Sequence, residues 1–219
     1  MNIERVWQDQ LYQEFARIGK SLSSPKRLEL LDLLSQGPKS VERLSKSTGM
    51  SVANVSQHLQ TLYEAKLVKF TKKGTFVMYE ISDSAVADFM LSLHSLSEKQ
   101  LVEIQRIKSE ILHYHESMEP VSLEILMERM VKGEVLLLDV RPREEYETDH
   151  IPGAISLPVE ELEQHISSLP SDVDIIAYCR GSYCFMSSQA VEMLKTKGLR
   201  AFRLEEGIHE WRQFAEQQN

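Results

Sequence analysis

Both cysteines of the 219-residue chain lie in one stretch, Ile175-Ile176-Ala177-Tyr178-Cys179-Arg180-Gly181-Ser182-Tyr183-Cys184-Phe185-Met186-Ser187-Ser188. A short apolar, β-prone run ends at Tyr178. A six-residue loop bounded by Cys179 and Cys184 follows, and a helical pattern starting near Phe185 carries Ala190, Val191 and Leu194 on one face. Strand, tight loop and helix together place a thiol at a helix N-terminus, where free N–H groups and the macrodipole favour an anion. A cysteine there gains thiolate character. Arg180 adds positive charge, and Gly181 lets backbone approach a bound group closely. The bland alternative is a buried, inert cysteine. A reactive Cys179 loses its basis if the folded protein shows its sulfur walled off from solvent with the side chain turned away from the loop amides.

The flanks carry further motifs in order. They are Val135-Leu-Leu-Leu-Asp139-Val-Arg141, Glu144-Glu-Tyr, His150-Ile-Pro-Gly-Ala-Ile-Ser-Leu-Pro158, the cysteine loop, and Gly207-Ile-His-Glu-Trp211. Over residues 120 to 216 this series resembles the single-domain rhodanese family. The alternation of apolar strands and amphipathic helices independently predicts a parallel α/β sheet, whose ligands bind beyond the carboxyl ends of the strands. The resemblance implies sulfane-sulfur transfer through a Cys179 persulfide, with the amides of residues 180 to 184 cradling the terminal sulfur. It also implies that Asp139 and Arg141 support the scaffold beneath the loop. No cofactor or metal is required. Thiosulfate-using loops of this family commonly end in Arg or Lys where this chain has Cys184, so efficient thiosulfate use is not expected, although Arg180 could partly substitute. Cys184 is instead a candidate resolving thiol, because a loop of this length can bring two Cα atoms into disulfide range, roughly 4.4–6.8 Å, or a small packing residue.

Charge divides the chain. Residues 1–118 hold 15 Lys/Arg against 14 Asp/Glu, whereas residues 120–219 hold 10 against 18. Two units of different surface chemistry are expected, 1–118 and 119–219, with the boundary at His115-Glu-Ser-Met-Glu-Pro120-Val-Ser122. Pro120 ends a helical run and Ser122 can cap the next helix. No apolar run approaches the roughly 18 residues of a membrane span. The start of the chain has no signal-peptide core, and two cysteines make no disulfide framework. A cytoplasmic protein with no membrane partner is expected.

The first half reads as helices. Ile3, Val6, Trp7, Leu11, Phe15 and Ile18 share a face over residues 3 to about 21. Ser24-Pro25 opens a second helix bearing Leu28, Leu30, Leu31, Leu33 and Leu34, and Gly37-Pro38 stops it. A third starts at Ser40. Gly49 supplies the positive φ of a tight helix-to-helix turn, and Ser51 caps a fourth helix from Val52 to about Ala65. Val52, Val55, Leu59 and Leu62 form its expected core stripe. The opposite face carries Ser51, Ala53, Asn54, Ser56, Gln57 and Gln60, whose amide and hydroxyl groups suit base edges in a major groove. Two β-prone runs then flank Lys72-Lys73-Gly74, a hairpin with a basic tip. From Lys39 to Gly74 seven basic residues face only Glu42 and Glu64, the local charge that phosphate contacts need.

With Val55-Ser56-Gln57-His58-Leu59 and Leu62, this α+β winged helix-turn-helix pattern resembles the ArsR family of regulators over residues 5 to 115. The resemblance implies double-stranded DNA as partner and a homodimer in which the first helix pairs with the long helical pattern from Ser84 to about His115. His58 is read as a packing residue. His94, His113 and His115 are read as solvated, so no metal site is expected. The joint expectation is a DNA-binding regulator whose rhodanese domain accepts sulfur from a small donor (thiosulfate, persulfide or polysulfide) or senses redox state at Cys179. The alternatives are primarily a sulfurtransferase with an accessory winged helix, or an inert interaction module.

Overall fold

A computed structural model describes residues 3–113 and 120–217. The chain divides into two compact units, Met1–Met90 and Leu91–Asn219. The boundary expected at residues 118 and 119 lies outside the described residues.

The first unit opens with α1 (Ile3–Leu22). Its apolar stripe finds no cover: Ile3, Trp7, Leu11 and Phe15 are all exposed. α2 (Pro25–Ser35) begins where expected. Ser24 takes the N-cap conformation with its side chain unused, and its carbonyl accepts from the amides of Arg27 and Leu28. β1 (Lys39–Ser40) leads into α3 (Val41–Thr48), capped by Ser40 Oγ accepting from the Arg43 amide at 3.2 Å. Gly49, at φ 68°, ends α3 in the left-handed region. α4 (Val52–Glu64) follows, with Ser51 Oγ accepting from the Asn54 amide. β2 (Val68–Lys73) and β3 (Phe76–Ile81) pair antiparallel, and β1 joins the other edge of β3.

Leu30, Leu31, Leu34, Leu44, Val55, Leu59 and Leu62 are essentially sealed and make the core of this unit. Val52 departs from its expected core role. In the first turn of α4, ahead of the packed part of the stripe, it is 47% exposed. Lys39 departs in the opposite sense, because pairing with Tyr79 through β1 buries it.

The long helical pattern is two helices, α5 (Ser84–Gln100) and α6 (Val102–His113), broken at Leu101. The Glu98 carbonyl accepts from Gln105 Nε2 at 2.9 Å, and the bend brings Lys108 Nζ to 3.4 Å from Glu98 and 3.0 Å from Glu205. Side-chain caps of this kind let a helix break without Pro or Gly. His115 and the side chain of His113 lie outside the described residues.

The rest of the second unit is a five-stranded parallel sheet in the order β4-β8-β7-β5-β6. In chain order come β4 (Pro120–Val121), α7 (Leu123–Lys132), β5 (Val135–Asp139), α8 (Arg143–Thr148) and β6 (Ile155–Ser156). Then follow α9 (Val159–His165) with a short 3-10 turn, β7 (Asp174–Tyr178), α10 (Met186–Thr196), β8 (Ala201–Leu204) and α11 (Ile208–Gln217). β7 is central and sealed on both faces. Ile175 and Ala177 pack with Leu162, Ala190, Val191 and Leu194 on one side, and Ile176 and Tyr178 pack with Leu126 and Ile208 on the other. Residues buried on both faces read as a continuous apolar run, which is how this strand was legible.

Candidate functional site

β7 ends at Tyr178, and Cys179 follows at its carboxyl end, one loop ahead of α10. Beneath it, Asp139 and Arg141 form a fully buried ion pair, Nη2 to Oδ2 at 2.6 Å. Tyr178 Oη donates to Asp139 Oδ2 at 2.6 Å and accepts from the Ile151 amide, while Arg141 Nη2 donates to the Asp149 carbonyl at 2.7 Å. Buried charges are tolerated when paired and hydrogen-bonded in this way. This network ties the end of β5, the end of β7 and the segment before β6 into one support.

The loop hangs above it. Gly181 sits at φ 121°, a conformation that other side chains rarely adopt. Gly207 lets the turn after β8 touch the loop backbone, since a Cβ there would lie 2.7 Å from the Arg180 carbonyl carbon. Ser182 Oγ donates to the Glu205 carbonyl. Tyr183 Oη donates to Glu98 at 2.5 Å, and its ring meets His94 edge-on. Cys184 is half-buried, its amide donating to the Gly181 carbonyl, and both cysteines are free.

Two findings revise the expected loop. First, Arg180 is not a free cation, because its guanidinium makes two hydrogen bonds to the buried carboxylate of Glu145, at 2.9 and 2.7 Å. Second, Cys179 is not open to solvent. It is 1% exposed, packed in the core layer with Cys184 against it. Around the unmodified sulfurs, the Ser187 amide is set toward Cys179, and the amides of Arg180 and Met186 toward Cys184. The side chain still points into the loop: its sulfur lies 3.1 Å from Ser187 Oγ and 3.6 Å from the Cys184 carbonyl.

Two neighbours of the sulfur were not foreseen from sequence. Ser187 is fully buried in the first turn of α10, and Arg203, 1% exposed on β8, donates from Nε to Ser187 Oγ at 3.1 Å. The one legible sign was a charged residue inside the short apolar run Ala201-Phe202-Arg203-Leu204. Burial pushes the Cys179 thiol up, but the hydrogen bonds of Cys184 and Ser187 and the charge of Arg203 outweigh it, and the net direction is down. Cys184 moves the other way, raised by the adjoining Cys179 sulfur and by burial. Of the two sulfurs, Cys179 is the one shifted toward the thiolate.

In the first unit, Ser51, Asn54, Ser56, Gln57 and Gln60 are all exposed on α4, and Lys72 and Lys73 are exposed at the end of β2. The turn itself is Gly74-Thr75, with Gly74 at φ 62°. Ser51 is committed to its cap, and Gln60 Nε2 donates to Glu64 at 2.9 Å. Asn54, Ser56 and Gln57 keep exposed side chains on the same face. No helix among the described residues is long and apolar enough to cross a membrane.

Comparison with known proteins matches both units. The family model described as a bacterial regulatory protein of the arsR family matches residues 24–69, and that of a rhodanese-like domain matches residues 122–214. An HTH-type transcriptional regulator of Mycobacterium tuberculosis is 38% identical over 202 residues, covering 92% of this chain and 88% of the relative. A sulfurtransferase of Allochromatium vinosum is 34% identical over 93 residues, 42% of this chain and 85% of that protein. An arsenical resistance operon repressor of Staphylococcus xylosus is 38% identical over 71 residues, 32% of this chain and 68% of that protein.

Proposed function

Because the chain belongs to the arsR-family transcriptional regulators that carry a rhodanese-like domain, we propose that sulfane sulfur accepted at Cys179 sets its affinity for DNA. The observation that carries this reading is the Cys179 sulfur itself, lowered in pKa at the carboxyl end of the central strand. In the reaction the thiolate attacks the outer sulfur of a donor RSSH. A bond forms between Cys179 and that sulfur, the donor S–S bond breaks, and its electron pair leaves as the thiolate RS⁻. Cys179 becomes a persulfide, with no external oxidant, and a second thiol can remove the sulfur. Since Cys179 is closed off, the loop from Arg180 to Cys184 must shift to admit the donor.

The DNA-facing surface is the exposed Asn54, Ser56 and Gln57 on α4, with Lys72 and Lys73 reaching phosphates. A second copy of the chain covers the exposed Ile3, Trp7, Leu11 and Phe15 of α1, because an isolated apolar stripe of this length needs a partner. A coupling of about 1–3 kcal/mol between sulfur and DNA sites changes affinity some 5–150-fold.

The test is binding of purified protein to its own upstream DNA, with and without polysulfide, for wild type and Cys179→Ser. Wild-type affinity shifts and the variant's does not. Equal responses, or none in either, remove the proposal.

A further inference from the structure

Arg203 is an arginine buried without a carboxylate partner among the described residues. Its Nη2 donates to the carbonyls of Ser182 (2.8 Å) and Gly181 (3.3 Å) and lies 3.5 Å from that of Cys184; Nε donates to Ser187 Oγ; Nη1 is buried with no hydrogen-bond partner. A buried cation with only neutral partners is costly unless an anion lies near. Among the described residues, the charged and titratable groups set against the sulfur include Arg180, Cys184 and Arg203. Arg180 is paired with Glu145, and the pKa of Cys184 is raised by the adjoining sulfur and by burial. The Cys179 sulfur, linked to Arg203 through Ser187 Oγ, is the group left to take its countercharge.

Ser187 links the two. A hydroxyl has one proton and two lone pairs. Arg203 can only donate, so it occupies a lone pair of Ser187 Oγ; once the Cys179 thiol has given up its proton, the hydroxyl proton turns to the sulfur 3.1 Å away. Arg203 also holds the carbonyls of Ser182 and Gly181, while that of Cys184, 3.5 Å from its Nη2, stays 3.6 Å from the Cys179 sulfur.

We propose that Ser187 and Arg203 form the anion-holding device of the site. Ser187 is the hydrogen-bond donor to the Cys179 sulfur, and Arg203 is the positioning residue that orients Ser187 and supplies the fixed countercharge from beneath the loop. This rests on Cys179 being the sulfur acceptor, and it assigns the donor class. With Arg203 sealed behind the loop and the Arg180 guanidinium paired to Glu145, neither cation is set to receive the sulfite that departs from thiosulfate. Donors whose leaving group is a thiolate, persulfides and polysulfides, are the matching class. The sulfur gained stays anionic as Cys179–S–S⁻, the proton of the donor RSSH passing to solvent.

The experiment uses the full chain carrying Cys184→Ser, so that one thiol reports. The rate of iodoacetamide reaction is followed against pH for that protein and with Ser187→Ala, Ser187→Thr, Arg203→Lys and Arg203→Met added. Ser187→Ala and Arg203→Met move the midpoint up by about one pH unit or more, a tenfold loss of thiolate at low pH. Ser187→Thr, which keeps the hydroxyl, restores it, and Arg203→Lys falls between. Should Arg203→Met fail to fold, Ser187→Ala alone decides, since it leaves the carbonyl anchors of Arg203 in place. An unchanged midpoint in folded Ser187→Ala overturns the device. Loading of wild-type Cys179 is read separately by mass after a single exposure to glutathione persulfide or to thiosulfate. Persulfide loads at least tenfold faster; equal loading overturns the donor assignment. Loading by neither removes the sulfur-acceptor reading and the donor assignment with it, while the pH midpoints still judge Ser187 and Arg203.

Discussion

The guanidinium of Arg180 grips the carboxylate of Glu145 through two hydrogen bonds, Nε to Oε2 at 2.9 Å and Nη2 to Oε1 at 2.7 Å, with Glu145 almost wholly buried. The residue that follows the nucleophile is thus a structural cation, fastening the loop to α8. Bidentate pairing of this kind is strong and directional.

Glu145→Ala leaves Arg180 without its partner and a carboxylate-sized void behind it. A cost of about 2–4 kcal/mol is expected, toward the lower end because Arg180 can turn to water. Urea unfolding followed through Trp211 fluorescence, in a Trp7→Phe background, measures it. The same variant frees a cation at the loop mouth, so thiosulfate loading of Cys179 rises relative to wild type.

Tyr178→Phe removes one hydroxyl that serves two buried partners, Asp139 and the Ile151 amide. The loss expected is about 1–3 kcal/mol, because both partners stay buried and one is charged. Burial and the adjacent Asp139 charge raise the Tyr178 phenol far above its ordinary range. Absorbance titration of the folded protein therefore shows this tyrosine silent until unfolding.

Glu206 gives the second unit a pH dependence. Burial, with Glu205, Glu124 and Glu210 adding repulsion, raises its carboxyl to about 7. A folded-state value above the unfolded one means the native state holds the proton more tightly. The stability this confers is complete below about pH 4.3 and is lost as pH rises through about 7. Between pH 6 and 8 the wild-type urea midpoint falls, and Glu206→Gln falls less.

On α4, Asn54→Ala or Gln57→Ala lowers specific DNA affinity by about 1–3 kcal/mol and relaxes discrimination at the base each one reads. Lys72→Ala with Lys73→Ala weakens binding to all sequences and flattens the log–log salt dependence by about one per lysine. Titrations at several salt concentrations, on operator and scrambled duplexes, separate the two effects.

Most of the architecture could be read from local pattern. The apolar run at 175–178, the glycine turns at Gly49 and Gly74 and the leucines of α2 each obey one short-range rule, and each forms the element that rule predicts. What escaped depends on partners distant in sequence. Val52 fits the α4 stripe by spacing, but lies in the first turn where about half of it stays exposed. Lys39 counts as a surface charge until its pairing with Tyr79 buries it. The break at Leu101 has no Pro or Gly to announce it, and contacts with Gln105, Lys108 and Glu205 accompany it. Arg180 looks like a donor-binding cation until Glu145, 35 positions away, is seen against it. Arg203 and Ser187, 16 positions apart, meet only because β8 lies beside β7.

The near-complete enclosure of Cys179 has a kinetic consequence. A nucleophile behind a closed wall reacts only during the fraction of time the wall is parted, so its apparent rate is the intrinsic rate scaled by that fraction. At high probe concentration the rate stops climbing and settles at the frequency of parting itself. Any contact that holds the wall shut, such as Tyr183 on Glu98, then sets how fast sulfur is registered without touching the sulfur chemistry.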